Sequence, residues 1–157
     1  MRLANAMASL PSMLMNIGTF EVYCAPLAAM LDKDGFVDLA IGVPFEDIEA
    51  SNAIDAGAVN VIPGSVGGLT AQNDQILFQS AAGMMGTSES FDRFGDALAA
   101  GNIKPATSLS SDQLEDLAVR VSGENMGTSD SGAVQFFYGK SGVGLSKWDK
   151  FITLDTF

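Results

Sequence analysis

Three carboxylates, Asp32, Asp34 and Asp38, crowd the stretch LDKDGFVDLAIGVP (31–44), where Gly35 permits a tight turn and an apolar run follows at once. Two carboxylates about 4 Å apart repel by roughly 4 kcal/mol at an effective dielectric of about 20. Three in one turn therefore need a cation between them or must splay into solvent. Hard oxygen ligands around a glycine turn suit Ca²⁺, with the Phe36 carbonyl as a backbone ligand between the last two carboxylates. The bland alternative is a solvated Asp-Gly turn without an ion. A helix-flanked EF-hand is excluded, because its first and twelfth ligand positions would fall on Met30 and Ile41.

Other chemistry is scarce. The chain has no histidine, which removes Ser-His-Asp and Cys-His sites. The single cysteine, Cys24, has no partner base and reads as a small buried thiol in the alternating stretch TFEVYCAPLAA. YGKSG (138–142) fails as a phosphate loop, since the first glycine of that pattern would fall on Val134 and no helix start follows. Glu46, Asp47, Glu49 and Asp55 read as a solvated loop, and Asp92-Arg93 as a local turn or ion pair. A carboxylate-based hydrolase stays formally open, although nothing selects one pair of acids.

The elements that must hold these residues are short. The 157 residues can form an ordinary domain with a core, 47% of them are hydrophobic, and 17 glycines make the chain rich in turns. A net charge of −11, with eight scattered basic residues, argues against nucleic acid and anionic membrane surfaces as partners. Residues 1–18 are read as a separate N-terminal segment, a poor secretory signal and too short and polar for a membrane span.

The same segments then occur twice in the same order. PLAAM (26–30) returns as ALAAG (97–101), VDLAIGVP (37–44) as EDLAVRVS (115–122) and DAGAVNVIPG (55–64) as DSGAVQFFYG (130–139). GGLT (67–70) returns as VGLS (143–146), and DQILFQ (74–79) as KFITLD (150–155). Such self-similarity is an internal repeat. The segments are rich in Val, Ile and Phe between Gly, Pro, Asn and Asp, which predicts about four short strands per copy and an all-β fold. SDQLEDLAV has a helix-capping pattern, but its mate DKDGFVDLAI carries a turn glycine, so a loop entering a strand is expected in both.

DRFGDALAAGN with EDLAVRV and SGAVQFFYGKSGVGLS resembles an FG-GAP repeat, the blade unit of integrin α-subunit propellers. DKDGFVDLAIGVPFED with AGAVNVIPGSVGGLT resembles a second. The name-giving parts are Phe94-Gly95 in one copy and Gly42-Val43-Pro44 in the other. The resemblance implies two neighbouring four-stranded antiparallel blades of an incomplete β-propeller, over 19–81 and 91–157, joined by a linker at 82–90. It also implies a Ca²⁺ loop between first and second strands, carried here by Asp32, Asp34, the Phe36 carbonyl and Asp38, with Met30 at the first acidic position. The second copy offers Asn102, Lys104, Asp112 and Asp116, a set that a lysine spoils. The first copy has no Phe-Gly, and the second has Arg120-Val121-Ser122 in place of Gly-Ala-Pro.

The expectation is a calcium-stabilised, non-catalytic module for protein binding or cell adhesion, extracellular or on the cell surface. Its partners would be a protein ligand, further blades or a second copy. The alternative is a structural piece of a larger propeller with no ligand of its own.

Overall fold

The computed structural model describes residues 16–17, 20–21, 25–103, 114–125 and 131–153. Most of the N-terminal segment, Cys24, and the Lys104 and Asp112 positions lie outside these residues. The described chain is all-β, as expected. A two-residue pair, β1 (Asn16–Ile17) with β2 (Phe20–Glu21), precedes two four-stranded sheets. The first sheet orders β3 (Ala25–Ala29), β4 (Asp38–Val43), β5 (Ala58–Ile62) and β6 (Gln75–Leu77) side by side. The second does the same with β7 (Phe94–Gly101), β8 (Asp116–Val121), β9 (Ala133–Lys140) and β10 (Gly144–Thr153). Every pairing is antiparallel, so each sheet is a meander, and neither closes into a barrel.

The repeat extends to register. In the first sheet Leu39, Ala40, Ile41, Gly42 and Val43 face Ile62, Val61, Asn60, Val59 and Ala58. In the second, Leu117, Ala118, Val119, Arg120 and Val121 face Phe137, Phe136, Gln135, Val134 and Ala133. Each residue of β8 stands 78 positions after its mate in β4, and each of β9 stands 75 after its mate in β5.

Strand side chains alternate between faces, and here the alternation runs oppositely in the two sheets. The first sheet buries Ala40, Gly42, Val59 and Val61; the second buries Leu117, Val119, Val121, Gln135 and Phe137, whose mates in the first sheet are only half-buried. The sheets are thus stacked in the same sense, front face on back face, about a shared core that also holds Leu31, Leu77, Phe94 and Leu145. The expectation that DLAIGV and DLAVRV are buried therefore holds on one face of each strand. The other face has no sheet over it in the described structure.

Phe94-Gly95 makes the junction. Phe94 is fully buried and meets Phe137 edge to face, with centroids 6.0 Å apart. Its amide donates to the Ala56 carbonyl at 2.8 Å. A Cβ on Gly42 would overlap the Gly95 carbonyl oxygen, and one on Gly57 would overlap that of Phe94. Gly95 itself sits at φ 92°, where a side chain is strained. At Gly42 and Gly95 two strands therefore touch where neither carries a side chain. Farther out, the Gln75 amide joins β6 to β10, donating to the Leu145 carbonyl at 3.1 Å and accepting from its amide at 2.9 Å.

Candidate functional site

The acidic loop joins β3 to β4, the connection where the sequence places it. It is built from side chain-to-backbone bonds. Asp32 Oδ1 accepts from the Asp34 amide at 2.9 Å, and Asp34 Oδ1 accepts from the Phe36 amide at 2.7 Å. Lys33 at φ 65° and Gly35 at φ 92° turn the chain between them. Such turns are what Asp, with a short acceptor, stabilises best.

Asp38 behaves differently. It is 2% exposed, and each carboxylate oxygen accepts a backbone N–H, Oδ2 from Leu31 and Oδ1 from Gly64, both at 2.9 Å. One side chain thereby ties the start of the loop to the turn after β5. Asp116 repeats this in the second sheet, accepting from Ile103 at 2.9 Å and from Gly139 at 3.0 Å. The two clamps are equivalent although the second loop lacks the acidic pattern. Asp38 is thus a structural tie, whatever else the loop holds.

Of the four expected ligand positions, Asp32 is half-buried and Asp34 and Phe36 are exposed at the turn. Asp32 has its pKa raised, first by burial and then by the nearby Asp38 and Asp34 charges, against the lowering effect of its bond from the Asp34 amide. Among the described residues, no three side chains from His, Cys, Asp and Glu converge where a metal ion could sit. A cation here would rest mainly on Asp32, Asp34 and the Phe36 carbonyl, because Asp38 already carries two amides.

The loop is also fastened to the second sheet. The Met30 amide donates to Glu115 Oε2 at 2.7 Å, and the Glu115 amide returns a bond to the Met30 carbonyl at 2.9 Å. The Leu31 carbonyl accepts from Lys140 at 3.2 Å and the Asp32 carbonyl from Gly142 at 2.9 Å. Order in the loop is therefore coupled to the contact between sheets.

A second polar group joins Asp92, expected only as a turn or ion-pair residue, to Gln79 and Glu124, which the sequence did not single out. Asp92 is fully buried, Gln79 is 1% exposed and Glu124 is 6% exposed. Asp92 Oδ2 accepts from the Glu89 amide at 2.6 Å, and Gln79 Nε2 donates to Glu124 Oε2 at 2.6 Å. The Asp92 carboxyl is pushed up to about 6 by burial, then by Glu124 and Glu89, with the Glu89 amide opposing. Glu124 is raised too, by burial first and by Glu89, while the Gln79 amide lowers it. Arg93 turns away to lie 5.4 Å from the Phe45 ring centroid, so Asp92 serves the turn and not a pair with its neighbour. Position relative to a strand period could not flag these residues, because they lie in connections.

Raised carboxyls can mark general acids. These two line neither of two cavities found among the described residues. One, of about 300 Å³, lies beside Val43, Ile76 and Phe78 under a rim of Glu46, Asp47 and Glu49. The other, of about 320 Å³, lies between β6 and β10 beside Gln75, Met84 and Leu145. No protein-family model matches the sequence, and no curated protein matches it.

Proposed function

We propose that the chain is a repeat module of the FG-GAP type whose role is binding, in protein recognition or adhesion, and not catalysis. The observation that carries this reading is the pair of sheets with one order and one register, joined where Phe94-Gly95 lies on Gly42. The absence of histidine from the sequence and the inaccessibility of the Asp92–Glu124 group speak for a non-catalytic role. The reading places the chain outside the cell or on its surface, with a protein or further blades as partner.

In this reading Asp32, Asp34, the Phe36 carbonyl and Asp38 take Ca²⁺ weakly, on the order of the millimolar affinities of extracellular modules, since Met30 stands at the first acidic position. Titration calorimetry tests it. Asp34→Ala should remove most of the binding and Asp112→Ala should leave it unchanged; two equal tight sites would sink the assignment.

A second reading, a structural repeat with no ligand of its own, is favoured by Asp116. It makes the same backbone clamp as Asp38 without an acidic loop around it, so the clamp needs no ion. No heat on addition of Ca²⁺, with the fold intact, would decide for this reading.

A further inference from the structure

The two sheets stack front to back, so each leaves open the face that its mate has covered. Sheet one leaves Leu39, Ile41 and Val43, the counterparts of the buried Leu117, Val119 and Val121, half-buried on a face with no sheet over it, whose Val43–Ala58 end lies against the loop carrying Ile48 and Ala53. Sheet two leaves Arg120 exposed and Ala118, Val134 and Phe136 half-buried on its outer face, the counterparts of the buried Gly42, Ala40, Val59 and Val61. By shape class, the two open faces are the two halves of the junction that the chain already contains. Such a head-to-tail relation extends without limit or closes into a ring unless something stops it.

Arg120 is what differs. Its mate Gly42 is the residue on which Gly95 lies, and even a Cβ there would overlap the Gly95 carbonyl oxygen. Arg120 brings a whole side chain to that place, 59% exposed and held by Asp96 Oδ2 at 3.1 Å. We infer that Arg120 closes the outer face of the second sheet to any further sheet of this repeat, and that the open face of the first sheet receives a sheet carrying glycine at the Gly42 place. The block is steric, in the backbone approach, and the ion pair with Asp96 only holds the side chain in position. The inference stands on the packing of the two sheets and needs neither calcium nor the family resemblance.

The experiment uses the full chain in EDTA, with mass read by sedimentation velocity over a wide concentration range. Because Cys24 aligns with Gly95 in the sequence repeat, at an offset of 71, all variants share a Cys24→Gly background. The background protein should not assemble through these faces. Adding Arg120→Gly should at least double the weight-average mass, and adding Ile41→Asp to that should return it to the background value. Arg120→Ala, which removes the charge and the ion pair but keeps a Cβ, should remain unassembled and also serves as the variant with the smaller risk to strand folding. The inference is overturned if Cys24→Gly alone assembles as strongly as the double variant, or if Arg120→Ala assembles as Arg120→Gly does. It is equally overturned if the Arg120→Gly protein keeps the background mass while its circular dichroism is unchanged, or if its assembly survives Ile41→Asp.

Discussion

At the scale of the residue, Asp38 and Asp34 look alike in sequence and do different work. Asp38→Ala strips the acceptor from two buried backbone amides, each worth about 1–3 kcal/mol when left unsatisfied. Urea denaturation in EDTA should show it destabilised by about 2–5 kcal/mol, as should Asp116→Ala, while Asp34→Ala changes stability by less than about 1 kcal/mol. Equal effects at Asp34 and Asp38 would mean that the clamp is not what holds the loop. Asp92 gives a prediction in pH. Its folded pKa is raised from 3.8 to about 6, so the folded state binds the proton more tightly than the unfolded chain. The stability this lends is complete below about pH 4 and is lost as pH rises through about 6. Asp92→Asn keeps an oxygen for the Glu89 amide but removes the charge that burial and Glu124 oppose. It should therefore raise the urea midpoint at pH 7.5 and flatten the slope between pH 4 and 7; a lower midpoint with the slope kept would refute the account.

At the scale of the element, glycine decides how near two sheets can come. Gly42→Ala puts a methyl group into the Gly95 carbonyl, and an overpacked contact of this kind costs about 1–3 kcal/mol or more. Gly101→Ala, at the end of β7, meets nothing within 4 Å and should be neutral or slightly stabilising. Hydrogen exchange should locate the loss of protection in the first variant on β4 and β7; uniform loss in both variants would undo the argument. Much of this was legible in the chain. Repeated Val- and Ile-rich segments gave the strands, and the offset within each matched pair of strands, 78 for β4 with β8 and 75 for β5 with β9, matches the register found, because period-two alternation ties sequence position to face. Asp38 was legible as an acid beside a turn but not as a clamp, since its partner amide at Gly64 is 26 residues away. Gln79 and Glu124 were missed, and Asp92 was read as a turn residue but not as a buried acid, for a related reason. They are polar residues in connections, where no periodicity tells inside from outside, and contacts among distant connections bury them.

At the scale of the whole molecule, the question is whether two sheets make one folding unit or two. Among the described residues, each sheet has another sheet over one face only, and the main core lies at that face; a smaller cluster of Ile48, Ala53, Ala56 and Ala58 covers one end of the first sheet's other face. Phe94, Leu117, Val119 and Phe137 from the second sheet share one cluster with Leu31, Val59 and Val61 from the first. The acidic loop of the first sheet is bonded to Glu115, Lys140 and Gly142 of the second. A sheet alone would expose the whole of this cluster to water, at roughly 25 cal/mol for each Å² of apolar surface, which a four-stranded meander has little else to offset. The two should therefore unfold together. Trp148, the single tryptophan, lies on β10 and reports the second sheet, whereas far-ultraviolet circular dichroism reports both. The two signals should give one coincident urea transition with the same midpoint and slope. Gly42→Ala, which strikes the junction at Gly95, should shift both signals by the same amount. A fluorescence transition that stays in place while part of the dichroism moves would mean that the sheets are independent and that the junction at Phe94-Gly95 is only a contact.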